Sequence, residues 1–161
     1  MTPAEKTAKA AEKKQMKSAA RLYAVQALFQ MEASGQTVEA VTREFETHRF
    51  GASYDEGEFA EGDVTLFRAL VDQAVNLQGR IDQMTDRALV AKWPIARIDP
   101  VIRALFRAGG AELLGAAATP PKVVITEYVD VAKAFFPDGK EPKFVNAVLD
   151  HMAHEANPGG I

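Results

Sequence analysis

From Ala19 to Met152 the apolar residues of this chain return every three or four positions, and no stretch alternates apolar with polar for long enough to make a strand. That period confines the chain to helices. Breaks at Gly35, across the glycine-bearing stretch from Arg49 to Gly62, at Trp93-Pro94, at Gly115 to Pro121 and at Pro137-Asp138-Gly139 cut it into about six or seven of them. An all-α fold is the economical reading. The 161 residues make about one domain, long enough to bury a core without staples. There is no cysteine, which removes thiol nucleophiles and thiolate zinc sites and suits a reducing cytoplasm. No run approaches the roughly 18 apolar residues of a membrane span, so the expectation is a cytoplasmic protein with no membrane partner.

Start and stop signals divide the chain further. Leu22, Val25 and Phe29 lie on one face of the first helix and Ala24, Leu28 and Met31 on another, the pattern of a helix buried between neighbours. Gly35 suits the left-handed position after its end. Val38, Val41 and Phe45 mark a second helix, Thr37 to about His48. Asp63 reads as the cap of a third, in which Leu66, Phe67, Leu70, Val71, Ala74, Leu77 and Ile81 fill one arc, continuing to Ala91 with a bend near Gly79. Asp99-Pro100 reads as an N-cap followed by proline in the first turn of a helix that runs to about Leu114. Gly109 and Gly110 inside it cost about 1 kcal/mol each relative to alanine, and close approach of another helix is the expected compensation. Pro120 to Asp150 is a helical hairpin: Val124, Tyr128, Val131, Ala132 and Phe135 form one stripe, and Phe144, Val145, Val148, Leu149 and, just beyond, Met152 the other. Residues 1–17 carry almost no apolar stripe and are expected to be a flexible basic arm, with 18–156 as the helical domain and 157–161 as a frayed tail.

The net charge of −3 hides a segregated chain. Residues 1–17 hold five lysines against Glu5 and Glu12, a balance of +3, whereas residues 32–63 hold nine acids against Arg43 and Arg49, a balance of −7. Candidates for catalysis are thin. His151 and His154 are spaced i, i+3 without a third ligand and read as a solvated pair. Glu127 and Asp130, one turn apart, read as a solvated acidic face, and the Gly109-Gly110 pair lacks the preceding strand of a phosphate-cradling loop. No catalytic residue, metal site or cofactor is expected. Lys13, Lys14, Lys17 and Arg21 are more suggestive, because 14, 17 and 21 share a helical face; they form either a solubilising tail or an edge that contacts phosphates.

Four stretches together resemble the NusB transcription antitermination factors. They are Ala20-Arg21-Leu22-Tyr23-Ala24-Val25-Gln26-Ala27-Leu28-Phe29; Phe67-Arg68-Ala69-Leu70-Val71 with Asn76 and Ile81-Asp82; Arg97-Ile98-Asp99 through Ile102-Arg103-Ala104-Leu105-Phe106-Arg107 to Glu112-Leu113-Leu114; and Pro121 to Lys133 followed by Lys143-Phe144-Val145-Asn146-Ala147-Val148-Leu149-Asp150. The resemblance implies two packed helical subdomains and no enzymatic activity. It also implies binding to boxA-type single-stranded RNA of ribosomal RNA leaders, jointly with the ribosomal small-subunit protein that doubles as NusE, within an RNA polymerase antitermination complex. Carried onto this sequence, the family's N-terminal basic cluster falls on Lys13, Lys17 and Arg21, with Lys14 beside them, and its Lys-Phe-Val-Asn segment on Lys143, Phe144 and Asn146. Phosphate contacts from the basic edge and base stacking on Phe144 fit what single-stranded RNA requires, while a core role for Phe144 stands beside that reading. The chain departs from the family pattern at Thr126, where Asn is common, at Ala111, where an aromatic is usual, and at Ala147, where Gly is usual; Lys17-Ser18-Ala19-Ala20-Arg21 also holds fewer arginines.

Two further readings compete. The chain could be a stand-alone NusB-like module that targets a ribosomal RNA methyltransferase, or a helical interaction scaffold, including a homodimer such as some relatives form.

Overall fold

The computed structural model describes residues 1–50, 63–89 and 98–159. Among them stand seven α-helices and no strand: α1 (Pro3–Ser34), α2 (Val38–Phe45), α3 (Val64–Asn76), α4 (Gln78–Ala88), α5 (Pro100–Ala111), α6 (Pro121–Phe135) and α7 (Glu141–Ala156). Wider π-helical turns extend α2 over Glu46–Phe50 and α5 over Glu112–Ala116. Arg49 and Phe50, expected to open the connecting stretch from Arg49 to Gly62, belong instead to the π turn after α2, where Phe50 is buried; the rest of that stretch and the stop expected at Trp93-Pro94 lie outside the described residues.

The local signals act as the sequence predicts. Asp63 accepts a hydrogen bond from the Leu66 amide at 2.9 Å and Asp99 one from the Val101 amide at 2.7 Å, each satisfying an amide that the first helical turn leaves unpaired. Gly35 ends α1 at φ 74°, and Gly115 turns the chain toward α6 at φ 97°. The bend expected near Gly79 is a break between α3 and α4 at Leu77, whose φ of −109° and ψ of 17° leave the helical region.

The N-terminus differs from expectation. Residues 3–17 continue α1 rather than leaving it, because Thr2 and Glu5 cap each other's backbone, Pro3 occupies the first turn, and Ala, Lys and Glu favour helix. Its first turns have no packing partner among the described residues: residues 1–15 are all exposed, and contact with the body begins at Met16, whose carbonyl accepts a bond from the Asp63 amide at 3.0 Å.

The remaining helices form two halves. In the first, α1, α2 and α3 pack together and share an aromatic cluster in which Phe50 meets Phe67 at 4.9 Å and Tyr23 at 5.1 Å between ring centres. In the second, α4, α6 and α7 surround α5, which also packs against α1 and α3, so that one apolar core runs through both halves. Fully buried side chains such as Phe67, Leu70, Leu105 and Leu149 contribute roughly 1.5–3 kcal/mol each to that core. The glycine pair explains how α5 can be central. A Cβ on Gly109 would lie 3.1 Å from a Leu149 methyl, and one on Gly110 would lie 2.5 Å from Ile81 and 3.2 Å from Met152, so α4, α6 and α7 approach the backbone of α5 itself.

Candidate nucleic-acid interface

Lys13, Lys14 and Lys17 are exposed on α1, and among the described residues no carboxylate pairs with them or with Lys143. Their spacing along the helix explains the arrangement. Lys6, Lys13 and Lys17 have the same heading as Ala20 and Ala24, which are fully buried one and two turns further on. The basic stripe of the overhang therefore continues the face by which α1 enters the body. Lys17 stands where the two meet, on the rim of a cleft whose walls include Thr65, Leu66, Ala69 and the Ala116–Thr119 segment.

Arg21 leaves this edge. Only 3% of the residue is exposed, and its guanidinium forms a two-pronged pair with Glu112, with Nε 2.9 Å from Oε1 and an Nη 2.8 Å from Oε2. Its other terminal nitrogen lies 3.3 Å from Glu127. The Tyr128 hydroxyl donates to Glu112 at 3.0 Å, and Ser18 donates to Glu127 at 3.1 Å. Burial works against the charge on Arg21, but the hydrogen bond and charge of Glu112 outweigh it and hold the guanidinium above its usual range. Burial, reinforced by Glu112, likewise pushes the Tyr128 phenol well above its ordinary value, so it remains a donor. A guanidinium with two carboxylate partners is a joint between α1, α5 and α6, and the expectation that it contacts phosphate is corrected accordingly.

Glu127 is corrected with it: at 8% exposure it is no solvated acid, whereas Asp130 is exposed and lies 4.0 Å from Lys133. The pattern that could have revealed the joint lies in the stripes. Glu112 follows Leu105 and Gly109 on the inner face of α5, and Arg21 precedes Ala24 and Leu28 on the inner face of α1. Opposite charges on two inward faces require one another, because neither can be buried alone.

The second set of predicted residues sits at the start of α7. Lys143 and Asn146 are exposed one turn apart. Phe144 is half-buried, its ring set edge-on against Phe106 at 5.8 Å between centres, so it is anchored on one side and reachable on the other. The two sets lie on different helices, linked through α6, which packs against both α1 and α7. His151 and His154 are exposed, and His154 Nδ1 lies 2.8 Å from the Asp150 carbonyl oxygen, which accepts its hydrogen bond.

A different surface escaped the sequence reading. Between α1 and the tips of α5 and α6 runs a groove lined by Val25, Phe29, Phe45, Val101 and Phe135. At its edge is Gln26, whose side-chain oxygen is buried without a hydrogen-bond partner among the described residues. An apolar trough with an unanswered acceptor suits a protein surface that brings apolar side chains and a donor.

The comparisons agree on the lineage. A sequence model of the NusB family matches residues 18–154. The transcription antitermination protein NusB of Maricaulis maris is 46% identical over 158 residues, covering 98% of each chain, and that of Sinorhizobium fredii is 44% identical over 154 residues, covering 96% of this chain and 94% of its own. Among solved structures, the antitermination factors NusB and NusE in complex with double-stranded RNA include a chain that superposes with a TM-score of 0.71 at 26% identity, covering 87% of this chain and 97% of its own. NusB of T. maritima superposes with a TM-score of 0.66 at 29% identity, covering 86% and 91%. Seven helices among the described residues, with the glycine-paired α5 at their centre, the four matching stretches and near-full-length relatives make this chain a member of the NusB family.

Proposed function

We propose that this protein is an RNA-binding transcription antitermination factor. It binds boxA-type single-stranded RNA of ribosomal RNA leaders together with a NusE-type ribosomal protein and supports read-through by RNA polymerase. Binding rather than catalysis is its activity, carried out in the cytoplasm. The observation that carries this reading is a set of exposed lysines on a NusB-family fold that pair with no carboxylate among the described residues: Lys13, Lys14 and Lys17 on one helix and Lys143 on another, the latter beside Asn146 and a partly open Phe144. Lysines with no carboxylate partner are available to phosphates, and a half-exposed ring offers a stacking plane to an unpaired base. The groove at Val25, Phe29, Val101 and Phe135 is the face we assign to the protein partner, leaving the lysine edge to RNA.

Charge reversal separates this reading from that of a helical scaffold. Lys13→Glu with Lys17→Glu is expected to weaken binding of boxA-type RNA at least tenfold in fluorescence anisotropy while pull-down of the NusE-type protein persists. Unchanged RNA binding would return the lysines to the role of a solubilising tail. Recovery of a ribosomal RNA methyltransferase with no transcription protein would favour the targeting module.

A further inference from the structure

Building on the RNA-binding reading above, we infer that Arg21 and Glu127 are positioning residues for RNA: their buried joint sets the direction in which α1 carries Lys13 and Lys17 relative to the contacts on α7. The inner face of α1 around the joint is built largely of small side chains, with Ala20, Ala24 and Ala27 fully buried and the larger Val25 and Leu28 only beyond Arg21. Alanine against a helix gives close contact but little resistance to rotation or sliding. A guanidinium fork on Glu112 does resist both, because two parallel hydrogen bonds fix an orientation as well as a distance. Glu112 belongs to the end of α5 and Glu127 to α6, which packs on α7, so the joint references α1 to the part of the body that holds Lys143, Phe144 and Asn146. The Ser18 hydroxyl, one turn from Lys14 and next to Lys17, adds a third fixing point on Glu127.

Leverage makes this matter. Lys13 stands eight residues before Arg21, about 12 Å along the helix at 1.5 Å per residue. Among the described residues nothing packs on residues 1–15 to correct an error, so a swing of about 10° at the joint displaces Lys13 by about 2 Å, enough to lengthen and weaken a phosphate contact while its charge stays near the RNA.

The test uses the full-length protein and boxA-type RNA, with affinity measured across a salt series. Arg21→Lys keeps the charge and removes the fork; Glu127→Gln keeps the shape and leaves the Arg21–Glu112 pair in place, so one variant remains folded even where the other does not. Circular dichroism selects the folded variants. Both are expected to weaken RNA binding by roughly three- to tenfold with the salt slope unchanged, since no phosphate contact is removed outright. In a background where Lys13 and Lys17 are alanine, the further loss from either variant is expected to vanish, because there is nothing left to position. In a third variant, Arg21→Gln, which removes the charge, a slope reduced by about 0.7 would make Arg21 a direct phosphate contact and overturn the inference. Undiminished affinity in the folded variants, or a loss that persists without the lysines, would overturn it as well. A wild-type protein that binds no RNA removes the proposed function itself and this inference with it.

Discussion

At Gly110 a methyl group would fall 2.5 Å from Ile81 Cγ2, a short branched side chain that is itself fully buried. At Gly109 it would meet the Leu149 methyl at 3.1 Å, a tip that can yield by a few tenths of an ångström. Alanine gains about 1 kcal/mol of helix propensity at either site. Gly110→Ala is nevertheless expected to destabilise the protein by about 1–3 kcal/mol through overpacking, and Gly109→Ala to stay within about 1 kcal/mol of wild type, both read from urea denaturation. Equal effects at the two sites would contradict the packing described for α5. The need for close approach was legible in the glycine pair, because two costly residues inside a helix require a reason; the identity of Ile81 and Met152 as the side chains that take the space was not, since they come from distant segments. Arg21 and Glu127 were misread for a related reason. A charge on a helix is solvated by default, and only the meeting of α1 with α5 and α6 turns these charges inward. Phe144 divides its ring between Phe106 and solvent, and its periodic position alone could not distinguish a core residue from a stacking plane.

Among the elements, α1 is the one whose two parts obey different rules. From Ala20 to Leu28 it is held by burial, and from Pro3 to Gln15 only by its capping box and intrinsic propensity. An isolated helix of about 12–15 residues is marginal in water, so the overhang is expected to exchange its amide hydrogens far faster than the buried part. Deleting residues 1–14 is expected to change stability by less than about 0.5 kcal/mol and to weaken RNA binding several-fold, through loss of Lys13 and Lys14. Protection of the overhang equal to that of Ala20–Leu28 would mean that something packs against it. The sequence reading took the lack of an apolar stripe in residues 1–17 for a lack of helix; residues 1–15 are exposed, and contact with the body begins at Met16. The cap at Thr2 and the continuity with a buried helix supply what propensity alone does not.

For the whole molecule, the account rests on a division of surfaces. The helical fold was readable because the elements carry their own apolar stripes, most are bounded by breakers, and α1, α2, α3 and α5 have side-chain caps, so the local signals agree with one another. The surfaces were less readable, because the basic edge on α1 meets the start of α7 only by way of the fold, and the apolar groove joins α1 to residues of α2, α5 and α6 that lie far away in sequence. With Lys13, Lys14, Lys17 and Lys143 as the phosphate contacts, RNA binding alone is modest, with a log–log salt slope of about −2 to −3. Most of the specificity comes with the protein partner. The most direct test is the affinity for boxA-type RNA and for a scrambled sequence, each measured with and without the NusE-type protein. The account predicts tighter binding of the boxA-type RNA when the partner is present, with a preference over the scrambled sequence. No gain from the partner, together with equal binding of both RNAs, would contradict it.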